Sequence, residues 1–289
     1  GDIIDVKSAV IPGIGRREAI WRETRPMENH AEVSHVIFLN RCANGCTITK
    51  GINNAQANTS SIPPIQVSNI SPWGFGDDQW NALVACVAET YAPYNVTVTD
   101  VDPGGMPHHE AIVAGLPTDI GRENDILGVG NGGCEPTNNA ISFTFANAHP
   151  NSPLFICATV AQESGHTWGL DHALSCADPM TYLNACTQQF FRDKLFDCGE
   201  FSERPCMCSG TKQNAHVRLR TVFGLGDPIA TNMFMLGAAW QLGQIPLLLT
   251  AIERAIELNG VAVPMNKEAF LWGRRAAHDP AAVEAFVKA

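Results

Sequence analysis

The stretch QESGHTWGLDH, from Gln162 to His172, decides how the rest of this chain reads. Just ahead of it, Ser152 and Pro153 supply a helix start, as N-cap and first helical residue. Leu154, Cys157, Ala158 and Ala161 then recur at i, i+3, i+4 and i+7, which predicts a helix with one buried stripe. Gln162 and His166 stand four apart, so they project from one face of that helix, with Glu163 beside them. Gly169 can take the backbone conformation that ends the helix and turns the chain, which returns His172 to the same point in space. Three side chains converge on one spot. A catalytic zinc ion is held in this way, by three protein ligands that leave a fourth position for water. Glu163, not itself a ligand, would accept a proton from that water while the metal polarises a carbonyl.

A few residues on, Asp178-Pro179-Met180-Thr181-Tyr182 places a methionine in a tight turn. Taken together, the two features resemble the metzincin zinc metallopeptidases. QESGHTWGLDH is similar to the signature HExxHxxGxxH, its GLDH end is especially like the matrixin and related branches, and PMTY is similar to the Met-turn beneath the zinc. The resemblance covers about residues 30 to 220. It implies an α+β fold of the zincin kind, a mixed sheet carrying an active-site helix. It also implies Zn(2+) as cofactor and a protein or peptide substrate cut by hydrolysis. By the same resemblance His166 and His172 are zinc ligands, Glu163 is the general base, Met180 forms the floor, and Tyr182 helps stabilise the tetrahedral intermediate.

The chain departs from the family at one ligand: Gln162 stands where the first histidine is expected. An amide oxygen is a poorer zinc donor than imidazole, so affinity should fall even if Gln162 coordinates. Three outcomes stay open: a weak but active site, a site completed by His108, His109 or His149, or a catalytically silent binding module that keeps the fold.

Working outward, HVIFLN (35–40) suits a strand, and the Asn-, Gly-, Ser- and Thr-rich stretch from Asn40 to Ser61 reads as loops. Trp80, Leu83, Val84 and Val87 have helical spacing in a helix that should run from Asp78 and end before Pro93. Strands are expected at about Asn95–Val101, Glu110–Ala114 and Ala140–Phe145. Strand, helix, several strands, helix is the order of a mixed α/β layer fold.

All ten cysteines lie before residue 209, an even, dense set that predicts disulfides and an oxidising, extracytoplasmic compartment, although their pairing cannot be deduced. Cys176 and Cys186 bracket the methionine turn, and Cys198, Cys206 and Cys208 come after it, so disulfides should brace the rim of the site. The chain opens on Gly1 with no basic n-region and apolar h-region, which suggests that any signal peptide has been removed. Residues 1–208 carry 11 Lys and Arg against 23 Asp and Glu, and this acidity makes nucleic acid an improbable partner.

Residues 209–289 carry 8 basic against 6 acidic residues and no cysteine. Met233, Leu236 and Trp240 share one helical face, as do Leu248, Ile252 and Ile256. No charge occurs from Pro228 to Ile252, but Asn232, Gln241, Gln244 and Pro246 interrupt the run, so two buried helices joined at Gly243–Pro246 read better than a membrane anchor. From Asp227 to Ala289 the chain, beginning DPIATNMFMLGAAWQLGQIPLLLTAIERAIELNG, resembles the C-terminal end of the gamma-type domain of indolepyruvate ferredoxin oxidoreductase. Neither a CxxC cluster motif nor a thiamine diphosphate site accompanies it, so this segment is read as a fragment or fusion partner without that chemistry. The expected organisation is an N-terminal extension over 1–29, a disulfide-rich metallopeptidase-like domain over 30–224, and a small α-helical segment over 225–289.

Overall fold

A computed structural model describes residues 3–4, 16–22, 33–183, 186–208, 210–224, 228–260 and 263–281. Two compact units emerge, one formed by Gly1–Tyr91 with Val96–Gly224 and the other by Ala92–Asn95 with Leu225–Ala289. In the first, the strands are β1 (Ile3–Ile4), β2 (Arg16–Arg22), β3 (Val36–Asn40), β4 (Cys46–Lys50), β5 (Thr59–Ser60) and β6 (Val67–Ile70). Helix α1 (Asp77–Tyr91) comes next, then β7 (Thr97–Thr99), β8 (His109–Val113), β9 (Ile126–Gly132) and β10 (Ile141–Thr144). Helix α2 (Pro153–His166), β11 (Phe196–Asp197), β12 (Lys212–Gln213) and α3 (Ala215–Phe223) complete it.

The main sheet runs in the order β1-β2-β9-β10-β8-β3-β7. Strands β3, β7, β8 and β10 are parallel to one another, whereas β9 is antiparallel to β10. On its other side β9 pairs with β2, from within the stretch read as an extension, in parallel register from Arg16↔Ile126 to Trp21↔Gly132. The sheet is mixed and the architecture α+β.

The Asn40–Ser61 stretch differs from its reading as loops, because Cys46–Lys50 and Thr59–Ser60 join Val67–Ile70 in a small separate sheet. Its polar residues alternate with a buried Ile48, which is how a half-exposed strand reads once a partner covers one face. Strand β9 carries no such pattern. Its sequence, ILGVGNG, is glycine-rich and gives no strand signal, because glycine disfavours strands unless close packing demands it.

Helix α2 supplies that demand. Ser152 caps it, accepting from the Phe155 N–H, and Pro153 opens it as expected. The single buried stripe does not hold: Leu154 is 52% exposed, while every residue from Ile156 to His166 is buried. The helix lies across β9, β10 and β8 on one side and packs on α1 on the other, so it has no solvent face after its first turn. A Cβ built on Gly130 would stand 2.1 Å from the Glu163 carbonyl oxygen, and one on Gly128 would stand 2.6 Å from Glu163 Cγ. The glycines of β9 are what let the site's helix settle onto the sheet.

Five disulfides link all ten cysteines: Cys42–Cys46, Cys86–Cys157, Cys134–Cys208, Cys176–Cys186 and Cys198–Cys206. Cys86–Cys157 ties α1 to α2, and in the chain-entropy picture a loop of that length constrains the unfolded chain by about 4 kcal/mol.

The core also buries a carboxyl. Glu110 on β8 is 2% exposed, receives one hydrogen bond from the Asn40 amide at 2.7 Å, and has no partner for Oε2. Burial pushes its pKa up to about 7, only partly offset by Asn40. A carboxyl raised in the folded state holds its proton more tightly there than when unfolded. Its contribution is therefore fully present below the unfolded value and is lost as pH rises through about 7. Glu110→Gln should gain roughly 3 kcal/mol relative to the parent between pH 4 and pH 8, measured by urea unfolding at each pH. A constant difference across that range would show that Glu110 stays ionised.

The second unit holds α4 (Pro228–Gln241), α5 (Leu249–Asn259) and α6 (Val263–His278). Ile252, Ile256 and Phe270 form its buried centre, with Met233, Leu236 and Trp240 packed partly against them. Leu248 does not belong to that face; it precedes α5 and is 76% exposed. Gly237 sits against the Phe270 carbonyl and Gly273 against the Phe234 carbonyl, so α4 and α6 cross with their backbones nearly touching. Among the described residues no helix is long and apolar enough to cross a membrane.

Candidate functional site

The end of α2 and the turn after it carry the residues singled out in the sequence. Gln162, Glu163 and His166 lie within the last turn and a half of the helix and are fully buried. Gly169 then takes φ +86°, a conformation that favours glycine, and a Cβ there would also strike the Arg218 guanidinium at 2.6 Å. The turn returns His172 to His166, with 3.1 Å between the two Nε2 atoms.

Each ring's other nitrogen is committed. His166 Nδ1 lies 2.8 Å from the Leu170 carbonyl oxygen, and His172 Nδ1 lies 2.7 Å from Glu200 Oε1. A carbonyl and a carboxylate can only accept, so a neutral ring at either position carries its proton on Nδ1 and offers a lone pair at Nε2. Burial, and then the neighbouring His172, hold the His166 pKa down to about 3, so that imidazole is neutral. Two lone pairs facing each other repel unless a positive charge lies between them. A cation placed between the two nitrogens would meet both lone pairs.

The methionine turn lies underneath. Met180 is fully buried, and its Sδ would be 2.8 Å from a Cβ on Gly165, so the glycine inside α2 makes room for the sulfur. The Ala173 N–H donates to the Met180 carbonyl at 2.8 Å, which binds the turn to the residue after His172. Asp178 Oδ1 accepts from the Met180 N–H, and burial raises the Asp178 carboxyl to about 7. Tyr182 lays its ring over His172, centroid to centroid 4.3 Å. The Cys176–Cys186 disulfide closes the segment that carries Met180 and Tyr182.

The other three histidines weighed as substitutes for a missing ligand are engaged elsewhere. His108 Nδ1 faces the Met106 carbonyl, His109 Nε2 faces Ser142 Oγ, and His149 bridges the Phe145 carbonyl and Thr159 Oγ1. Burial lowers the His109 pKa to about 3, with His108 adding to the effect. These are hydrogen-bonded core rings.

What the sequence did not reveal is an ionic cluster behind His172. Asp171, His172 and Glu200 have candidate ligand atoms within 4.8 Å of one another. Arg204 fills the space between the carboxylates. Its guanidinium donates to both Asp171 oxygens at 2.6 and 2.7 Å, and to Glu200 Oε1 at 2.7 Å and Oε2 at 3.2 Å. The Asp171 oxygens also accept from the His172 and Met207 N–H groups. Burial alone would raise both carboxyls, but hydrogen bonds from Arg204 and His172 outweigh it and hold them below the usual carboxylate range. With its lone pairs used in this way, the cluster is an ion-pair network rather than a metal cage. The only hint in the sequence is the i, i+4 pair Glu200 and Arg204 between Cys198 and Cys206.

No protein-family model matches this chain, and no curated protein matches it at a significant level, so a functional reading rests on these residues themselves.

Proposed function

We propose that the first unit is a metzincin-like, zinc-dependent endopeptidase domain that acts on protein or peptide substrates in an oxidising, extracytoplasmic setting. One observation carries the reading: two neutral-capable histidine rings with both Nδ1 atoms committed and their Nε2 atoms 3.1 Å apart. A tetrahedral zinc with bonds of about 2.0–2.1 Å separates two ligand nitrogens by about 3.3 Å, so the pair fits with little adjustment. The mixed sheet beneath α2, the buried Met180 and the five disulfides support the same reading.

In this reading His166 and His172 would hold the zinc, with the Gln162 amide oxygen as third donor. When bound, zinc supplies Lewis acidity toward the scissile carbonyl and acidifies a water. Glu163 would accept a proton from the attacking water at its carboxylate and pass it to the departing amine as the C–N bond breaks. The Tyr182 hydroxyl donates to the oxyanion that develops on the carbonyl. Gln162 lowers metal affinity without removing the two nitrogen donors.

A second reading, a silent module of the same fold, is favoured by the burial of the site: Gln162, Glu163 and His166 are inaccessible and His172 is 3% exposed.

Elemental analysis of the purified protein, with His166→Ala and Gln162→His variants, decides between them. One zinc per chain in the parent, lost in His166→Ala, is the expected result. Zinc in Gln162→His alone would mean that the cradle persists and the parent is silent. Zinc in neither would sink both the ligand assignment and the peptidase reading.

A further inference from the structure

We propose that Glu200 is the positioning residue for His172: clamped by Arg204, its carboxylate fixes the Nδ1–H tautomer of the ring and aims Nε2 at the metal site. The role deepens the zinc reading above and rests on it, although the tautomer itself can be tested without metal.

The two rings of the site are oriented by different means. His166 is held by the Leu170 carbonyl, a backbone acceptor four residues along the same turn. His172 lies beyond the helix, where the acceptor at its Nδ1 is a side chain 28 residues away in sequence. A side chain can orient another only if it is itself fixed. Glu200 accepts from two guanidinium nitrogens of Arg204, and Arg204 is anchored in turn by its fork on Asp171, the residue before His172.

The backbone around Glu200 is tied to the backbone around His172. The Gly199 N–H donates to the His172 carbonyl at 3.1 Å, the Leu174 N–H donates to the Asp197 carbonyl at 2.9 Å, and Ala173 bridges Cys198. The Cys198–Cys206 disulfide closes the loop that carries both Glu200 and Arg204. The loop therefore arrives at His172 as a preformed unit. A carboxylate behind an imidazole also strengthens the ring as a donor, an effect on metal affinity that exceeds simple orientation.

A network that only holds the loop in place would leave the tautomer alone, and this is what the experiment reads. Protein labelled with 15N-histidine, metal-free and at mildly alkaline pH, is studied by long-range 1H–15N correlation. The parent should show His172 protonated at Nδ1, with that proton shifted far downfield by the charged acceptor. Glu200→Ala should convert His172 to a tautomer mixture while His166 stays protonated at Nδ1. Glu200→Gln, which preserves shape, should keep the Nδ1 proton but move its resonance upfield, and it serves where Glu200→Ala folds poorly. Zinc affinity, measured by chelator competition, should fall about 10- to 100-fold in Glu200→Ala and less in Glu200→Gln. A parent ring without a proton on Nδ1, or an Nδ1 resonance that neither substitution moves, overturns the assignment. Absence of zinc from the parent would instead remove the zinc reading, leaving the tautomer result to decide the role of Glu200.

Discussion

On the proposed zinc-peptidase reading, Glu163→Gln should lower peptide hydrolysis by about a hundredfold to ten-thousandfold while leaving zinc content unchanged, the range expected when a positioned proton acceptor is lost. The substitution is nearly isosteric, which matters at a fully buried position packed against Gly128. An amide keeps the shape, so α2 stays seated and the two histidines keep their approach. It cannot take a proton, so turnover is lost selectively. The assay is kcat/KM on a quenched peptide beside zinc content, run in the parent and in Gln162→His so that a weak parent site does not mask the effect. Activity close to that of the starting protein would mean that another group accepts the proton. Loss of zinc together with activity would mean that Glu163 helps hold the metal.

Gly130→Ala should cost a large share of the stability of the first unit, about 3 kcal/mol or more. The new Cβ would meet the Glu163 carbonyl oxygen at 2.1 Å and its carbon at 2.9 Å, and the obstacle is helix backbone rather than the end of a flexible side chain. Overpacking a core costs typically about 1–3 kcal/mol when side chains can yield. Here α2 as a whole must lift from the sheet, loosening a helix that is buried from Ile156 to His166. Gly105→Ala, in open space on an exposed loop, is the control and should stay within about 0.5 kcal/mol of the parent. Urea unfolding with the disulfides intact measures both. A Gly130→Ala midpoint equal to that of Gly105→Ala would show that the helix and sheet do not depend on that close approach. If α2 does lift, Glu163 moves with it, and hydrolysis should fall along with stability.

The parts of the fold legible in the sequence are those set by local chemistry. Ser152 and Pro153 announce the start of α2, and Gly169 announces the turn after it. The apolar runs around Ile37, Ile112 and Phe143 announce strands to within a residue or two. Helix α1 is equally clear from Trp80, Leu83 and Val87. Within the candidate site the spacing of His166, Gly169 and His172 already returns the second histidine to the first, because helix period and a glycine turn are local rules.

What stayed hidden depends on neighbours distant in sequence. Strand β9 looks unlike a strand until α2 is laid across its glycines. The stretch Asn40–Ser61 looks like loop until β6 pairs with β4 and Ile48 enters the core beside Ile62, Ile70 and Ile112. The exposure of Leu154 and the burial of Thr159 depend on which elements surround α2, not on its own periodicity. Cysteine number predicts disulfides, but pairing requires knowing which cysteines meet, and Cys134 meets Cys208 across 74 residues. Glu200 and Arg204 belong to the same class. By itself the sequence determined the helix, the turn after it and the return of His172 to His166, since each is set by backbone geometry over a few residues. Only the tertiary structure decided that a carboxylate 28 residues on would face His172 and that β9 would receive Glu163. Such contacts are selected by packing across the whole unit, where shape and charge complementarity act between segments whose local sequences carry no trace of each other.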